Sequence, residues 1–349
     1  MQYIMNIIII GAGWYGCHIA KKLQNKHNVK IIEEKSDIFD NSSYYNQNRL
    51  HLGFHYPRNY ATRQLCQSNY DKFKSQYSEC VDDIDNNFYI ISNESIIDYN
   101  TYINIFTHEG FDFDVVKNEI FANTDGSIIK VKEKIINSDK IKRHFKTVLT
   151  NVHFEFNSKV LKYEKQNGNF IVFTQDGNTH VGDLILDCTY NQLGLSLKNY
   201  TYESTISLIY KKTKDTLFGA ITIMDGKFSS LYPRDICNNL YTLTDVEYTP
   251  MLSSRNYKDV ELYYPDNEKI KEVKEKMETK LKTFYPALLD EFIYKSFFIS
   301  KKTKPISASD SRNIIIEEIE PNVLSVNCGK IYGIFEWEDY VENYINYKV

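Results

Sequence analysis

Ile7-Ile8-Ile9-Ile10-Gly11-Ala12-Gly13-Trp14-Tyr15-Gly16 is an apolar run that meets three glycines at the spacing G-x-G-x-x-G, and a helical pattern through Ile19, Ala20 and Leu23 follows it. Strand, turn and helix in that order are what a dinucleotide site requires. Gly11 permits the tight turn, Gly13 lets the backbone approach a pyrophosphate, and Gly16 lets the helix pack closely on the strand. The phosphates then meet a helix N-terminus, where N–H groups and the helix dipole favour negative charge.

The next strand strengthens the reading. Val29-Lys30-Ile31-Ile32 ends on Glu33, roughly 20 residues beyond the first glycine, where the fingerprint places an acid for the ribose hydroxyls. Glu34 is the neighbouring candidate, but its side chain should point to the other face of the strand. The bland alternative is a surface turn with two solvated glutamates.

With 349 residues, the chain can form two domains or one large domain with insertions. Its net charge of −4 gives no reason to expect nucleic acid or an anionic membrane as partner. The six cysteines form no CxxC pair and no metal-like spacing with histidine. A reduced, intracellular (cytoplasmic) protein is the simplest expectation. Met1 to Ile10 lacks the basic region and cleavage site of a signal peptide. No apolar run approaches the ~20 residues needed to span a bilayer. A small-molecule substrate is the expected partner.

After Glu33 a loop rich in Asn, Ser, Asp and Tyr leads into Asn48-Arg49-Leu50-His51-Leu52-Gly53-Phe54-His55-Tyr56-Pro57-Arg58, and a helical pattern through Leu65, Tyr70 and Phe73 follows. Two histidines, two arginines and a glycine make a poor core segment. They make a plausible wall for a cofactor site.

Here the chain resembles flavoproteins of the D-amino-acid-oxidase superfamily, among them glycine oxidase and especially the L-2-hydroxyglutarate dehydrogenase branch. Those proteins carry a similar His-x-Gly-x-x-Tyr-x-Pro run before a basic helix ending in Leu-Cys; the matching residues are His51, Gly53, Tyr56, Pro57, Leu65 and Cys66. Asp125-Gly126, a helical segment from Val131 to Phe145, the strand Val152 to Phe156, Val160 opposite the adenine, and the hairpin Phe170 to Thr174 with Asp176-Gly177 follow in the superfamily's order. The strand Leu184 to Asp187 ends at Cys188-Thr189-Tyr190, where relatives usually carry a glycine in place of Tyr190. Lys304-Pro305 stands where many relatives have Arg-Pro, and Gly329, Lys330 and Ile331 match the late segment that returns to the flavin.

The resemblance implies FAD as cofactor and an α/β fold: a Rossmann-like FAD-binding domain with a parallel sheet, plus an α+β substrate domain on an antiparallel sheet. It assigns 1–82, 126–200 and 305–349 to the first domain, and 83–125 and 201–304 to the second. Short β-branched and aromatic segments between Thr201 and Lys304 agree with an antiparallel sheet. Asp266 to Phe284 reads as an amphipathic surface helix, and a last helix is expected at about Trp337 to Tyr347. The implied cofactor contacts are Gly11, Ala12, Gly13, Trp14, Tyr15, Gly16, Glu33, Glu34, Asn48, Arg49, Leu50, His51, Val160, Thr189, Gly329, Lys330 and Ile331.

Oxidation by such a site moves a hydride from a carbon bearing an amine or hydroxyl to the flavin, leaving negative charge near the ring's pyrimidine edge. Backbone N–H groups around Gly329 and Ile331, with the charge of Lys330, suit that edge. His51 and His55 are candidates to take the substrate proton, since histidine titrates near neutral pH; the alternative for each is a structural histidine. Arg49, Arg58, Arg234 and Arg312 can grip a carboxylate through a bidentate fork, or serve as surface or ion-pair residues. Tyr232 can line the substrate face or simply pack. Cys328 beside Gly329 raises a covalent flavin link, with a buried thiol as the simpler account, and Cys17 is expected to be packing.

The expected function is therefore an FAD-dependent oxidoreductase, oxidase or dehydrogenase, acting on a C–N or C–O bond of an amine, amino acid or 2-hydroxy acid. Other readings are a flavin-dependent mutase on a nucleotide sugar, a nicotinamide-dependent dehydrogenase, and a non-catalytic flavin-binding protein. The absence of a further Gly-Gly pair just after Glu33 argues against the mutase.

Overall fold

The computed structural model of the protein describes residues 4–306 and 314–348. Four strands lie parallel side by side in a six-stranded sheet, Val323–Asn327, Leu184–Asp187, Asn6–Ile10 and Asn28–Ile32, with Val152–Glu155 parallel at one edge and Ile315–Glu320 antiparallel at the other. Ile7 to Ile10 form the centre because both faces of the strand are covered, which a continuous apolar run tolerates and an alternating one does not. Ile7 and Ile9 pack under the helix Trp14–Leu23. Ile8 and Ile10 face Val160, Phe170 and Val172 of a small antiparallel sheet on the opposite side.

The register decides where a ligand can lie. Ile10 pairs with Ile32 and with Asp187, so the turns at Gly11, Glu33 and Cys188 open along one sheet edge. The crevice beyond the carboxyl ends of such strands is where open α/β sheets bind ligands.

A nine-stranded, mainly antiparallel sheet takes Tyr200–Lys212, Ala220–Met224, Ser229–Asp235, Leu240–Asp245, Pro250–Ser254 and Phe292–Pro305, as the sequence predicts. It also takes Asn87–Ser92, Phe113–Lys117 and Thr124–Val131, so residues 126–131 side with this sheet rather than the parallel one. Helix Asn267–Phe284 starts where the Asp266 side chain accepts from the Lys269 N–H and buries Ile270, Val273, Met277 and Leu281.

Two expected helices differ. Val131 to Phe145 is not one helix: Lys134–Ile136 is a strand between Arg49–Leu50 and Val81–Asp82, and the helix spans Ser138–Val148. Asn137 sets the boundary, its side chain accepting the Lys140 N–H as an N-cap. The last helix spans Gly333–Lys348, starting before Trp337. Ile334, Trp337, Val341 and Ile345 give it a buried stripe at helical spacing. No helix among the described residues is long and apolar enough to cross a membrane.

Candidate active site

Gly11 has φ +98°, and a Cβ there would stand 3.0 Å from the Cys188 carbonyl oxygen. A Cβ on Gly16 would collide with the Gly11 oxygen, and one on Gly13 would come 2.7 Å from Ser43 Oγ. Backbone crowding holds Gly11 and Gly16 to glycine, while at Gly13 a side chain would displace Ser43. The Trp14 N–H at the helix start donates to Ser43 Oγ at 3.0 Å, and Ser42 Oγ donates to the Lys301 carbonyl at 2.6 Å. Sequence reading passed over this serine pair, although a run of hydroxyls after the second strand was the available signal.

Glu33 reaches back to the glycine turn: its carboxylate accepts from the Ala12 N–H at 2.6 Å and the Lys35 N–H at 2.9 Å. Burial pushes its pKa up, and the two amides oppose that. Glu34 points elsewhere, to Lys35 and Lys159 at 3.3 and 4.0 Å. Val160 is buried beside Ile8, Ile10 and Ile32. Thr189 donates to Asp187 Oδ1 at 2.6 Å and organises the following turn. There Tyr190 adopts φ +62°, the left-handed conformation a glycine would take without strain.

From Gly13 and Ser43 a cavity of ≈ 770 Å³ runs to His51, His55, Asp225 and Lys330. Asn48, at φ +54°, donates to Ser138 Oγ. Leu50 is fully buried in the core with Cys66 and Phe73, so its side chain is packing. The Arg49 guanidinium lies over the Tyr232 ring at 3.8 Å; its fork nitrogens donate to Tyr89 Oη and Thr222 Oγ1 at 2.8 Å and to Ser230 Oγ at 2.7 Å. Glu133 stands 3.6 Å away. Arg49 is therefore a buried ion-pair partner with its fork already engaged.

Arg58 and Arg234, the other carboxylate candidates among the described residues, are also engaged. Arg58 pairs with Asp225 at 2.7 Å. Arg234 donates to the Tyr44 and Asn46 carbonyls and stacks between Tyr44 and Phe298. Lys304 pairs with Glu203 at 2.8 Å. Arg312 lies outside the described residues. Tyr232 is fully buried beneath Arg49 with its hydroxyl on the Lys134 carbonyl, so it packs behind the site.

His51 and His55 come together with Tyr56. The His51 ring lies 5.2 Å from His55 and 5.4 Å from Tyr56, and Tyr56 Oη is 3.5 Å from His51 Nε2. His55 also meets Phe228 edge-on at 4.7 Å and has Nδ1 3.4 Å from Tyr89 Oη. Lys330 is buried with Nζ 4.0 Å from the centre of the Tyr56 ring. Burial, with the Arg49 charge second, lowers its pKa to about 7. Tyr15 Oη donates to the Lys330 carbonyl at 2.6 Å, and Tyr332 Oη donates to the His51 carbonyl. Gly329 and Ile331 line the same cavity. Burial raises the Cys328 and Cys17 thiols, which keeps both neutral. Glu133, which sequence reading missed, accepts from the Leu52 N–H and Tyr89 Oη at 2.8 and 2.6 Å.

The donor set suits an extended dinucleotide with a polar ring. Glycine turn, helix N-terminus and Ser43 converge at one end. At the other, Arg49 Nε and Asn327 Nδ2 are buried donors on cavity-lining residues with no hydrogen-bond partner among the described residues. A buried donor left unpaired is costly, and the carbonyl and nitrogen acceptors of a flavin ring answer it.

No protein-family model matches the chain. The FAD-dependent monooxygenase FPY4 of Fusarium mangiferae is 30% identical to it over 334 residues, covering 94% of this chain and 87% of that protein. Among solved structures, glycine oxidase from Geobacillus kaustophilus superposes with TM-score 0.75 at 10% identity, covering 99% of this chain and 95% of the other. L-alpha-glycerophosphate oxidase from Mycoplasma pneumoniae with FAD bound gives TM-score 0.71 at 14% identity, covering 99% and 95%. These structures share the fold.

Proposed function

The chain belongs to the family of FAD-dependent monooxygenases, which makes it an FAD-dependent oxidoreductase, and we propose that it oxidises a C–N or C–O bond in a small amino or 2-hydroxy acid. The observation that carries this reading is Lys330. It is a buried amine facing the cavity, with the Tyr56 ring against it and no described carboxylate as its ion-pair partner.

We assign the FAD ribose to Glu33, the pyrophosphate to the Trp14 helix start and Ser43, and the ring to the Asn327 to Ile331 segment. FAD, when bound, supplies the two-electron acceptor for the hydride. Lys330 holds the substrate carboxylate; an anion a few ångströms away restores its proton, because opposite charge favours the ammonium. His51 Nε2 takes the proton from the substrate amine or hydroxyl. Tyr56, with Oη 3.5 Å from His51 Nε2, borders the path of that proton.

The name of the Fusarium relative favours a second reading, insertion of one atom of dioxygen. Anaerobic mixing of the FAD-loaded protein with amino acids, 2-hydroxy acids and nucleotide sugars separates the readings. Bleaching of the flavin by an amino or 2-hydroxy acid is expected. A flavin that stays oxidised without oxygen, together with ¹⁸O from ¹⁸O₂ in the product, would overturn it in favour of oxygen insertion, and bleaching by a nucleotide sugar alone would overturn it in favour of the mutase class.

A further inference from the structure

Glu133 lies in the two-residue link between the strands Thr124–Val131 and Lys134–Ile136, and its side chain has no solvent exposure. Burying a carboxylate is expensive unless it is paired and hydrogen-bonded. Arg49 alone would supply the pairing, yet the Arg49 fork is spent on three hydroxyls and stands off at 3.6 Å. What the carboxylate grips instead is the histidine loop. Oε1 accepts from the Leu52 N–H at 2.8 Å and the Gly53 N–H at 3.4 Å, and it lies 3.8 Å from His51 Nδ1. Oε2 accepts from Tyr89 Oη at 2.6 Å, and that same hydroxyl lies 3.4 Å from His55 Nδ1. One carboxylate thus addresses both imidazoles, one across a short gap and the other through a phenol.

We propose that Glu133 is the positioning residue of this site, holding His51 with its proton on Nδ1 and, through Tyr89, coupling His55 to the same carboxylate. The inference rests on the reading of His51 as the proton acceptor. His51 Nε2 then carries the lone pair, on the side where Tyr56 Oη stands 3.5 Å away and where the substrate proton would have to enter. As the substrate N–H or O–H proton moves to Nε2, the new imidazolium charge is balanced by the Glu133 carboxylate, while the hydride goes to FAD.

The 3.8 Å separation is a charge contact rather than a hydrogen bond, and catalytic contacts of this kind commonly tighten when ligand binds. Burial raises the Glu133 carboxyl, and Arg49, the Tyr89 hydroxyl and the two loop amides oppose that rise; the other titratable groups around it stay neutral, burial raising the phenols of Tyr70, Tyr102, Tyr232 and Tyr332 and the thiol of Cys66. Arg49, from the strand Arg49–Leu50, and Lys330, before the last helix, are the cations facing the cluster. Asp225, at the far side of the same cavity, is paired with Arg58 at 2.7 Å, and Glu133 is the carboxylate in contact with the histidine loop.

The test is histidine titration in the FAD-loaded protein labelled with ¹³C at the imidazole Cε1, alongside the pH profile of kcat/KM. His51→Gln and His55→Gln assign the signals. In Glu133→Gln the His51 midpoint should fall by about one pH unit or more, since an opposite charge at this distance is removed, and the acid limb of kcat/KM should follow it. Glu133→Asp should recover part of the shift. Tyr89→Phe should move the His55 midpoint and leave His51 in place. An unmoved His51 midpoint in flavin-loaded Glu133→Gln overturns the proposal. If that variant fails to hold flavin, Tyr89→Phe decides: a moved His55 midpoint supports the relay and an unmoved one overturns it. Failure of the base reading looks different, as undiminished turnover in His51→Gln.

Discussion

Lys330 Nζ stands 4.0 Å from the centre of the Tyr56 ring, a cation-binding face, while burial, with the Arg49 charge second, pushes its pKa the other way. The folded protein therefore holds an amine that titrates at about 7, against 10.5 for the ordinary side chain. Between those values the unfolded chain binds a proton that the folded one does not, so this group makes stability rise with pH. The penalty is fully present below pH 7 and is relieved as pH climbs. Urea unfolding of the flavin-free protein should show a midpoint that increases from pH 7 to 9, and Lys330→Met should flatten that slope and stabilise the protein at pH 7. A slope unchanged in Lys330→Met would mean that the lysine is solvated.

Lys330→Met should also raise KM for a carboxylate-bearing substrate by about 10- to 100-fold, the effect of ~1.5–3 kcal/mol for a charge-assisted hydrogen bond. Lys330→Arg should recover part of it. Steady-state kinetics with an acid and its amide separates loss of anion binding, which spares the amide, from general damage.

His51→Gln should keep its flavin and lose about 10²- to 10⁴-fold in kcat/KM, the usual range for a positioned proton acceptor. The pH limb that reports the base should vanish with it. Wild-type rates in His51→Gln would hand the role to another group.

Gly13→Leu should abolish flavin retention. Its Cβ would already press on Ser43 Oγ, and the longer branch fills the space a pyrophosphate needs at the helix start. The ratio of flavin to protein absorbance after gel filtration reads this directly, with circular dichroism to show the fold. A yellow, folded Gly13→Leu protein would mean the phosphates lie elsewhere.

Ile9→Ala should destabilise the parallel sheet by about 2–5 kcal/mol, since the side chain is fully buried under the first helix and leaves a cavity. Denaturant unfolding followed by tryptophan fluorescence checks it, Trp14 being in the same core.

The parallel sheet was legible because its signals are local: four consecutive isoleucines, glycines at fixed offsets and an acid at the end of the next strand. The loop bearing His51 was legible through resemblance, and Lys330 through its position in the late return. For Arg49 the sequence left a carboxylate fork and an ion-pair partner both open, because nothing near it in sequence predicts that Tyr89, Thr222 and Ser230 converge on it from 40, 173 and 181 residues away. Glu133 belongs to no motif and became visible only once the chain had folded it against Leu52 and Gly53, about 80 residues earlier. The helix misread from Val131 shows the same limit at short range. Its apolar residues fit a helix or a buried strand equally well, and the Asn137 cap was the discriminating signal.

The Tyr15 hydroxyl closes on the Lys330 carbonyl across 315 residues of chain, and a Cβ at Gly333 would press on that same tyrosine. A protein is made from its N-terminus. The dinucleotide turn therefore emerges from the ribosome early and waits, with one wall of its cavity missing, until residues 327–333 arrive. A nascent chain stalled before that segment would carry the fingerprint without the wall that closes this cavity.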